Sequence, residues 1–169
     1  MPLTASHVVI LRISLIGTKP EIWRVFTVPA KIDLAELHLV VQRVMGWKDV
    51  HPHEWSIDEP GGTLRKIAAS LGDVFTYRYD NKAGWDHTIE VIATGPPSTY
   101  LEPYRILDGD GACPPEDVGG AKGFEKFCAA MADTSHPKHQ EQRAWYGGPF
   151  YRDAYNRSSA QKKLDELQQ

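Results

Sequence analysis

Cysteine is scarce in this chain of 169 residues, in which only Cys113 and Cys128 occur. Two cysteines exclude both a disulfide framework and paired Cys-x-x-Cys zinc knuckles. Cys128 shares a predicted helix face with Phe124 and Met131, where a free cysteine behaves as a small apolar residue. Cys113 lies in a loop and is a candidate ligand-binding residue. A nucleophilic role for Cys113 would also need a histidine base and a lowered pKa of the thiol.

Long apolar runs and an excess of positive charge are also missing. No stretch approaches the roughly 20 apolar residues that a membrane helix needs, and the first residues do not have the basic and apolar segments of a signal peptide. The formal net charge of -3 argues against nonspecific nucleic-acid binding, which relies on many Lys and Arg. We therefore expect a cytoplasmic protein that binds no membrane.

Several sequence motifs of catalysis are absent as well. The chain has no P-loop, no strand that leads directly into a Gly-x-Gly-x-x-Gly turn, and no Gly-x-Ser-x-Gly elbow. The overall composition, with 41% hydrophobic and 24% charged residues, is that of an ordinary globular protein. The length is sufficient for one domain with a core and short for two, so we predict a single domain over residues 1–169.

Hydrophobic patterns predict alternating strands and helices. Residues 8–16 and 21–28 are rich in β-branched residues and form a predicted hairpin around the break at residues 17–20. Asp33 and Glu36 have the spacing of a helix N-cap and capping box, and Gly46 ends that helix. Further predicted elements are a short strand at 53–57, a hairpin of 75–79 with 87–93, and helices at 64–71, 122–131, 135–145 and 158–167. This order predicts an α+β fold with a largely antiparallel or mixed sheet, a β-grasp-like ββαβ first half, and C-terminal helices packed on it.

Residues 108–120 are rich in Gly, Pro and carboxylates, and we predict an irregular loop there. Its structural residues are Pro114, Pro115, Gly119 and Gly120. The loop brings Glu116 and Asp117 to the start of the next predicted helix. There the two acids have two alternative roles: they cap the helix N-terminus, or they supply carboxylates to a site.

Spaced motifs in this chain resemble the Ri-plasmid ORF-three-like family of bacterial proteins, whose members also occur as passengers of insertion elements. The resemblance covers residues 8–156 and leaves 157–169 as a C-terminal tail helix. It rests on residues 19–24, 37–47, 51–55 and 77–89, and most specifically on Ala-Cys-Pro-Pro-Glu-Asp-Val-Gly-Gly at 112–120. The resemblance implies no established activity, and implies a protein or nucleic-acid partner linked to mobile elements.

Two positions depart from the family pattern. Members read Tyr-Asp-Phe-Gly-Asp before the Trp-x-His element, whereas here Asp80 is followed by Asn-Lys-Ala-Gly at 81–84. The second carboxylate of that turn is therefore missing. Pro52 also stands where the family more often has Leu, in the segment that carries His51 and His53.

Histidines and carboxylates suggest a polar site. His51 and His53 are two apart on a predicted strand and would share a face, to which a hairpin could add His87. With Asp80, Glu116 and Asp117 they would provide acid–base groups or ligands for a divalent metal. Two alternatives for His87 remain open, a hydrogen-bonded core residue and a pH-sensitive group.

Trp85 is a candidate for ligand stacking, although tryptophans at strand positions more often pack in a core. Two classes of function follow. The chain is either a small binding or interaction domain, or a metal-dependent or acid–base enzyme that uses the histidines and acids.

Overall fold

The computed structural model describes residues 7–57, 62–64 and 71–169. In this part the chain forms one six-stranded sheet and four α-helices. The strands are β1 (Val8–Leu15), β2 (Trp23–Pro29), β3 (His53–Trp55), β4 (Val74–Tyr79), β5 (Trp85–Gly95) and β6 (Ile106–Asp110). The helices are α1 (Leu34–Met45), α2 (Gly120–Ala132), α3 (His139–Tyr146) and α4 (Arg157–Asp165). None of the helices in these ranges has the length and apolar character to cross a membrane.

The sheet has the strand order β3-β4-β5-β1-β2-β6, and every pair of neighbours is antiparallel. The predicted α+β class and both predicted hairpins, β1 with β2 and β4 with β5, are confirmed. The first half does follow the order ββαβ along the chain. However, β3 pairs with β4 and not with β1, so the first three strands form no separate β-grasp sheet.

The core lies between one face of the sheet and α1. Alternate residues of β1, among them Leu11 and Ile13, are fully buried, as expected for a strand with one solvated face. Leu37 and Val44 of α1 belong to the same buried cluster. The helix N-cap is Asp33, whose Oδ1 accepts the N–H of Glu36 at 2.7 Å. The helix ends at Gly46, which has a φ of 114° and is the predicted C-cap.

Residues 108–110 are not part of a loop, which corrects the prediction of an irregular segment over 108–120. They belong to β6, which pairs with β2 at the edge of the sheet. The Gly-rich composition concealed a strand because Gly109 serves close packing: a Cβ there would lie 2.7 Å from Cε1 of Tyr155. The outer edge of β6 is covered, since Gln161 of α4 accepts the N–H of Ile106 at 2.8 Å.

Helix boundaries differ from the predicted ones in modest ways. The predicted helix at 135–145 begins at His139, after a turn, and the predicted helix at 122–131 extends over Gly120–Ala132. The predicted helix at 64–71 lies largely outside the described residues. The predicted tail helix is observed as α4, and its Leu164 is fully buried in the core.

Arg24 of β2 is the largest fully buried side chain of the described part. Its guanidinium donates hydrogen bonds of 2.8 to 3.1 Å to four backbone carbonyls, those of Trp23, Val44, Met45 and Asp110. The group also lies over the ring of Tyr155, 3.5 Å from its centroid. Two of these acceptors are the last carbonyls of α1, where the helix dipole favours a cation. Arg24 therefore joins the end of α1 to the end of β6.

We predict that Arg24→Lys lowers the free energy of unfolding by about 3 kcal/mol. Lysine has a point charge and three donors, so it cannot reproduce the planar fork that satisfies four carbonyls, and it leaves buried acceptors unpaired. The control is Arg105→Lys, since Arg105 forms an exposed pair with Glu102 and should change stability by less than about 1 kcal/mol. Urea denaturation measures both values, and equal losses in the two variants would contradict the central role of Arg24.

Candidate functional site

The segment 111–119, which we call the carboxylate loop, packs against the turn that follows α1. Oε1 of Glu116 accepts the backbone N–H of Lys48 at 2.8 Å and the hydroxyl of Tyr79 at 2.9 Å. Cys113 lies so close to Gly46 that a Cβ on this glycine would be 3.0 Å from the Cβ of Cys113. Two hydrogen bonds therefore fix one oxygen of Glu116 and leave its second oxygen, Oε2, free to face the neighbouring histidine.

That histidine is His51, which lies at the centre of three carboxylates. Its Nε2 is 2.8 Å from Oδ1 of Asp117, 3.6 Å from Oδ2 of Asp80 and 3.9 Å from Oε2 of Glu116. The ligand atoms of His51, Asp80 and Asp117 all lie within 4.8 Å of one another. We call these four residues the His51 cluster. The four residues come from three separate turns of the chain, because Glu116 and Asp117 are adjacent. All four were candidates from the sequence.

The two aspartates of the His51 cluster have unusual backbone conformations. Asp80 has a φ of 59° and Asp117 a φ of 63°, in the left-handed region that few non-glycine residues adopt. Asp80 directly follows β4, and its carbonyl accepts the N–H of Gly84 at 2.7 Å, which closes the turn into β5. Backbone strain of this kind is frequent at functional sites.

Asp80 is also buried, with 5% of its surface exposed. Its Oδ1 accepts the N–H of Ala83 at 3.3 Å. Among the described residues its Oδ2 accepts no hydrogen bond, and it faces Nε2 of His51. A cation placed between Oδ2, Nε2 of His51 and the carboxylate of Asp117 would be bound by three groups whose ligand atoms lie within 4.8 Å of one another.

The spacing of the donor atoms suits a metal. Zinc bonds of about 2.0 to 2.2 Å in a tetrahedral site place neighbouring ligand atoms about 3.4 Å apart. Nε2 of His51 lies 2.8 Å from Oδ1 of Asp117, a hydrogen bond that a metal would replace, and 3.6 Å from Oδ2 of Asp80, and these two distances bracket this value. One imidazole nitrogen with carboxylate oxygens is a donor set for Zn²⁺ or Mn²⁺. Tyr79 and the N–H of Lys48 hold Glu116 in place beside these ligands.

His87 lies outside the His51 cluster, in the core. Its Nε2 accepts the indole N–H of Trp47 at 3.2 Å, and its Nδ1 donates to the carbonyl of Tyr77 at 3.0 Å. Both ring nitrogens are therefore occupied, and burial lowers the pKa of His87 to about 4. The ring is neutral near pH 7, as in the core alternative considered for it.

His53 also belongs to a different network. Its ring stacks on that of His38, with centroids 3.5 Å apart, and burial lowers the pKa of His53. His38 in turn contacts Oδ1 of Asp49 at 2.8 Å and the hydroxyl of Tyr77 at 2.7 Å. The expected common face of His51 and His53 does not form, because β3 begins only at His53 and strand alternation does not extend to His51.

The remaining candidates have structural surroundings. Trp85 is buried and packs on Trp47 and Phe124, so a ligand cannot stack on it from solvent. Burial raises the pKa of the Cys113 thiol, which disfavours the thiolate that a nucleophile requires. Gly120 has a φ of 70°, and a Cβ there would be 3.0 Å from the carbonyl oxygen of Ala83.

Gly119 and Gly120 have positive φ angles, and they bring the start of α2 close to the turn that carries Asp80. Pro114 is buried and Pro115 is partly buried in the same loop. The N-cap of α2 is Gly119, which has no side chain. Glu116 and Asp117 do not cap this helix: Glu116 contacts Tyr79 and Lys48, and Asp117 contacts His51.

The comparisons with known proteins agree with this fold. The model of the plasmid pRiA4b ORF-3-like protein family matches residues 7–159. The chain belongs to this family. It is 35% identical, over 96% of its length and 93% of the relative, to the uncharacterized protein y4hQ of Sinorhizobium fredii (strain NBRC 101917 / NGR234).

A solved relative has the same architecture. The crystal structure of the protein of unknown function MM3350 from Methanosarcina mazei Go1 superposes with a TM-score of 0.83 at 25% identity, and covers 92% of this chain and 98% of the other. Neither relative carries a described activity in its name. The comparisons therefore agree on the family and the fold, and they assign no function to the His51 cluster.

Sequence reasoning missed the polar network around His38. Gln42, one helical turn after His38, donates to the hydroxyl of Tyr77 at 2.9 Å and accepts the N–H of Asp49 at 2.8 Å. The signal was available, because a polar pair at i and i+4 lies on one side of a helix. It also missed Tyr79, whose hydroxyl links the carboxylate loop to the N–H of Val50.

The buried neutral state of His87 predicts a loss of stability in acid. Between pH 6.5, the ordinary pKa, and about 4, the pKa in the fold, the unfolded chain takes up a proton that the folded chain does not bind. The free energy of unfolding should therefore fall by about 3 kcal/mol as the pH is lowered through this window. In His87→Gln this contribution disappears and the pH dependence becomes shallower, whereas His136→Gln should keep the slope of the unsubstituted chain. Urea denaturation at several pH values tests this, and an unchanged slope in His87→Gln would count against a neutral buried ring.

Proposed function

We propose that this protein is a small binding domain that holds a divalent metal ion and binds its ligand through that ion. His51, Asp80 and Asp117 are the protein ligands, and Glu116 lies beside them. The observation that supports this most directly is the convergence of His51, Asp80 and Asp117, whose ligand atoms all lie within 4.8 Å of one another, with the carboxylate oxygen Oδ2 of the buried Asp80 facing His51 at 3.6 Å. A metal ion would neutralise this carboxylate together with that of Asp117.

Three protein ligands leave a coordination position for another molecule. Structural zinc sites use four protein ligands, whereas sites that bind a water or a substrate keep one position open. Asp117 is exposed to solvent over 68% of its side chain, so a ligand can approach the ion on that side. The partner in the cell, which the family's link to mobile elements suggests is a protein or a nucleic acid, stays a prediction, and the net charge of -3 disfavours nonspecific nucleic-acid binding.

A second function, metal-dependent hydrolysis, is favoured by one specific contact. Oε1 of Glu116 is held by two donors, while Oε2 lies 3.9 Å from Nε2 of His51 and is free to accept a proton. His51, Asp80 and Asp117 would hold the metal, which would supply an activated water, and Glu116 would be the carboxylate placed to accept a proton from it. Hydrolysis of an activated ester by the zinc-loaded chain that disappears in Glu116→Gln, with zinc still bound, would establish this function. Absence of any metal-dependent hydrolysis would leave the binding function alone.

We predict that Zn²⁺ or Mn²⁺ binds with one ion per chain and raises the thermal stability. At a free ion concentration 100 times the Kd, the stabilisation should be about 2.7 kcal/mol. Asp80→Asn and Asp117→Asn keep the shape of the side chains and remove the charge, so each should weaken binding at least about tenfold. Asp153→Asn, a matched change of an exposed aspartate outside the cluster, should leave the affinity unchanged.

Isothermal titration calorimetry and thermal unfolding together measure these effects. Because protons compete with the metal for its ligands, the affinity should also fall as the pH is lowered. The metal proposal fails if no ion binds stoichiometrically, or if Asp117→Asn and Asp153→Asn bind it equally well.

A further inference from the structure

We infer that a cleft beside the His51 cluster binds a small aromatic carboxylate, whose carboxylate group coordinates the metal and whose ring packs on an aromatic and proline surface. The inference rests on the proposed metal site. The cleft has a volume of about 370 Å³ and is lined by Gly46, Lys48, Cys113, Trp145, Tyr146 and residues 114–117. A volume of this size is within the range of small-molecule sites, and Asp117 connects the cleft to the ion.

The ring-binding surface is formed by two elements of the chain. Trp145 and Tyr146, at the end of α3, remain 49% and 44% exposed. Their rings are nevertheless held in place, because each makes an edge contact with Phe127 at a centroid distance of 5.7 Å. Pro114 and Pro115 of the carboxylate loop contribute apolar rings without backbone donors. A flat aromatic ring of a ligand can pack on this surface.

Charge selects a monoanion. Lys48 uses its backbone N–H for Glu116, and its ammonium group has no acidic partner among the described residues, so it is available to an anionic ligand. A divalent ion and Lys48 carry three positive charges, which balance the three carboxylates of Asp80, Glu116 and Asp117. With these charges balanced, the site can accept one more carboxylate, that of the ligand, which is a good donor for the ion. A dianionic phosphate ester would be repelled by Glu116 and Asp117, which line the same cleft.

The test titrates the zinc-loaded full chain with benzoate, acetate, benzyl alcohol and phenyl phosphate in a calorimeter. We expect benzoate to bind at least tenfold tighter than acetate, because benzoate has a ring that acetate lacks. It should also bind tighter than benzyl alcohol and phenyl phosphate, because neither of them has a carboxylate. Trp145→Ala should weaken benzoate at least tenfold and leave the affinities for acetate and for zinc unchanged. Tyr100→Ala removes a fully exposed aromatic residue elsewhere and should change nothing.

The outcomes separate the two proposals. Benzoate that binds zinc-loaded protein no tighter than acetate, or equally well in Trp145→Ala, overturns the aromatic cleft and leaves the metal site standing. Tighter binding of phenyl phosphate overturns the choice of a carboxylate. Failure of the chain to bind zinc in the preceding titration overturns the metal site and this inference with it.

Discussion

The buried guanidinium of Arg24 is the contact on which the rest of the site depends. It holds the last carbonyls of α1 and the carbonyl of Asp110 at hydrogen-bond distance from one group. The turn that carries Lys48 and His51 begins directly after α1, and the carboxylate loop begins directly after Asp110. Because one guanidinium holds the starts of both segments, it fixes the distance between the turn after α1 and the carboxylate loop. The Arg24 guanidinium is held by four carbonyls and an aromatic ring and by no side-chain carboxylate, so protonation of a carboxylate does not remove any of these hydrogen bonds.

The histidines around this junction show how environment divides one residue type into different roles. His87 is enclosed by the core and has both nitrogens occupied, so desolvation keeps it neutral. His38 and His53 stack on each other, and Asp49 and Tyr77 occupy the two nitrogens of His38. Of these four histidines, His51 alone has several carboxylates within 4 Å of one nitrogen. Two tyrosines at alternate positions of β4 contact these histidines: Tyr77 contacts His38 and His87, and Tyr79 lies beside His51.

Local patterns predicted much of the fold. Alternation predicted β1, β2, β4 and β5, and the Asp33 and Gly46 caps predicted α1, because these signals act over a few neighbouring residues. β6 was missed because Gly109 looks like a turn residue, while its real constraint is the packing of Tyr155 and Arg24, which are distant in sequence. His51, Asp80, Glu116 and Asp117 were all identified as candidates. Their separation from His53 and His87 could not be predicted, since it depends on the strand order and on where β3 begins.

A crystal soaked with Zn²⁺ tests most directly whether the His51 cluster binds a metal ion. The anomalous signal of zinc locates the ion independently of the protein atoms. We predict a peak within about 2.0 to 2.2 Å of Nε2 of His51 and of one carboxylate oxygen each from Asp80 and Asp117. A well-ordered crystal that shows no zinc at the His51 cluster, or zinc only at exposed surface residues, would contradict the account.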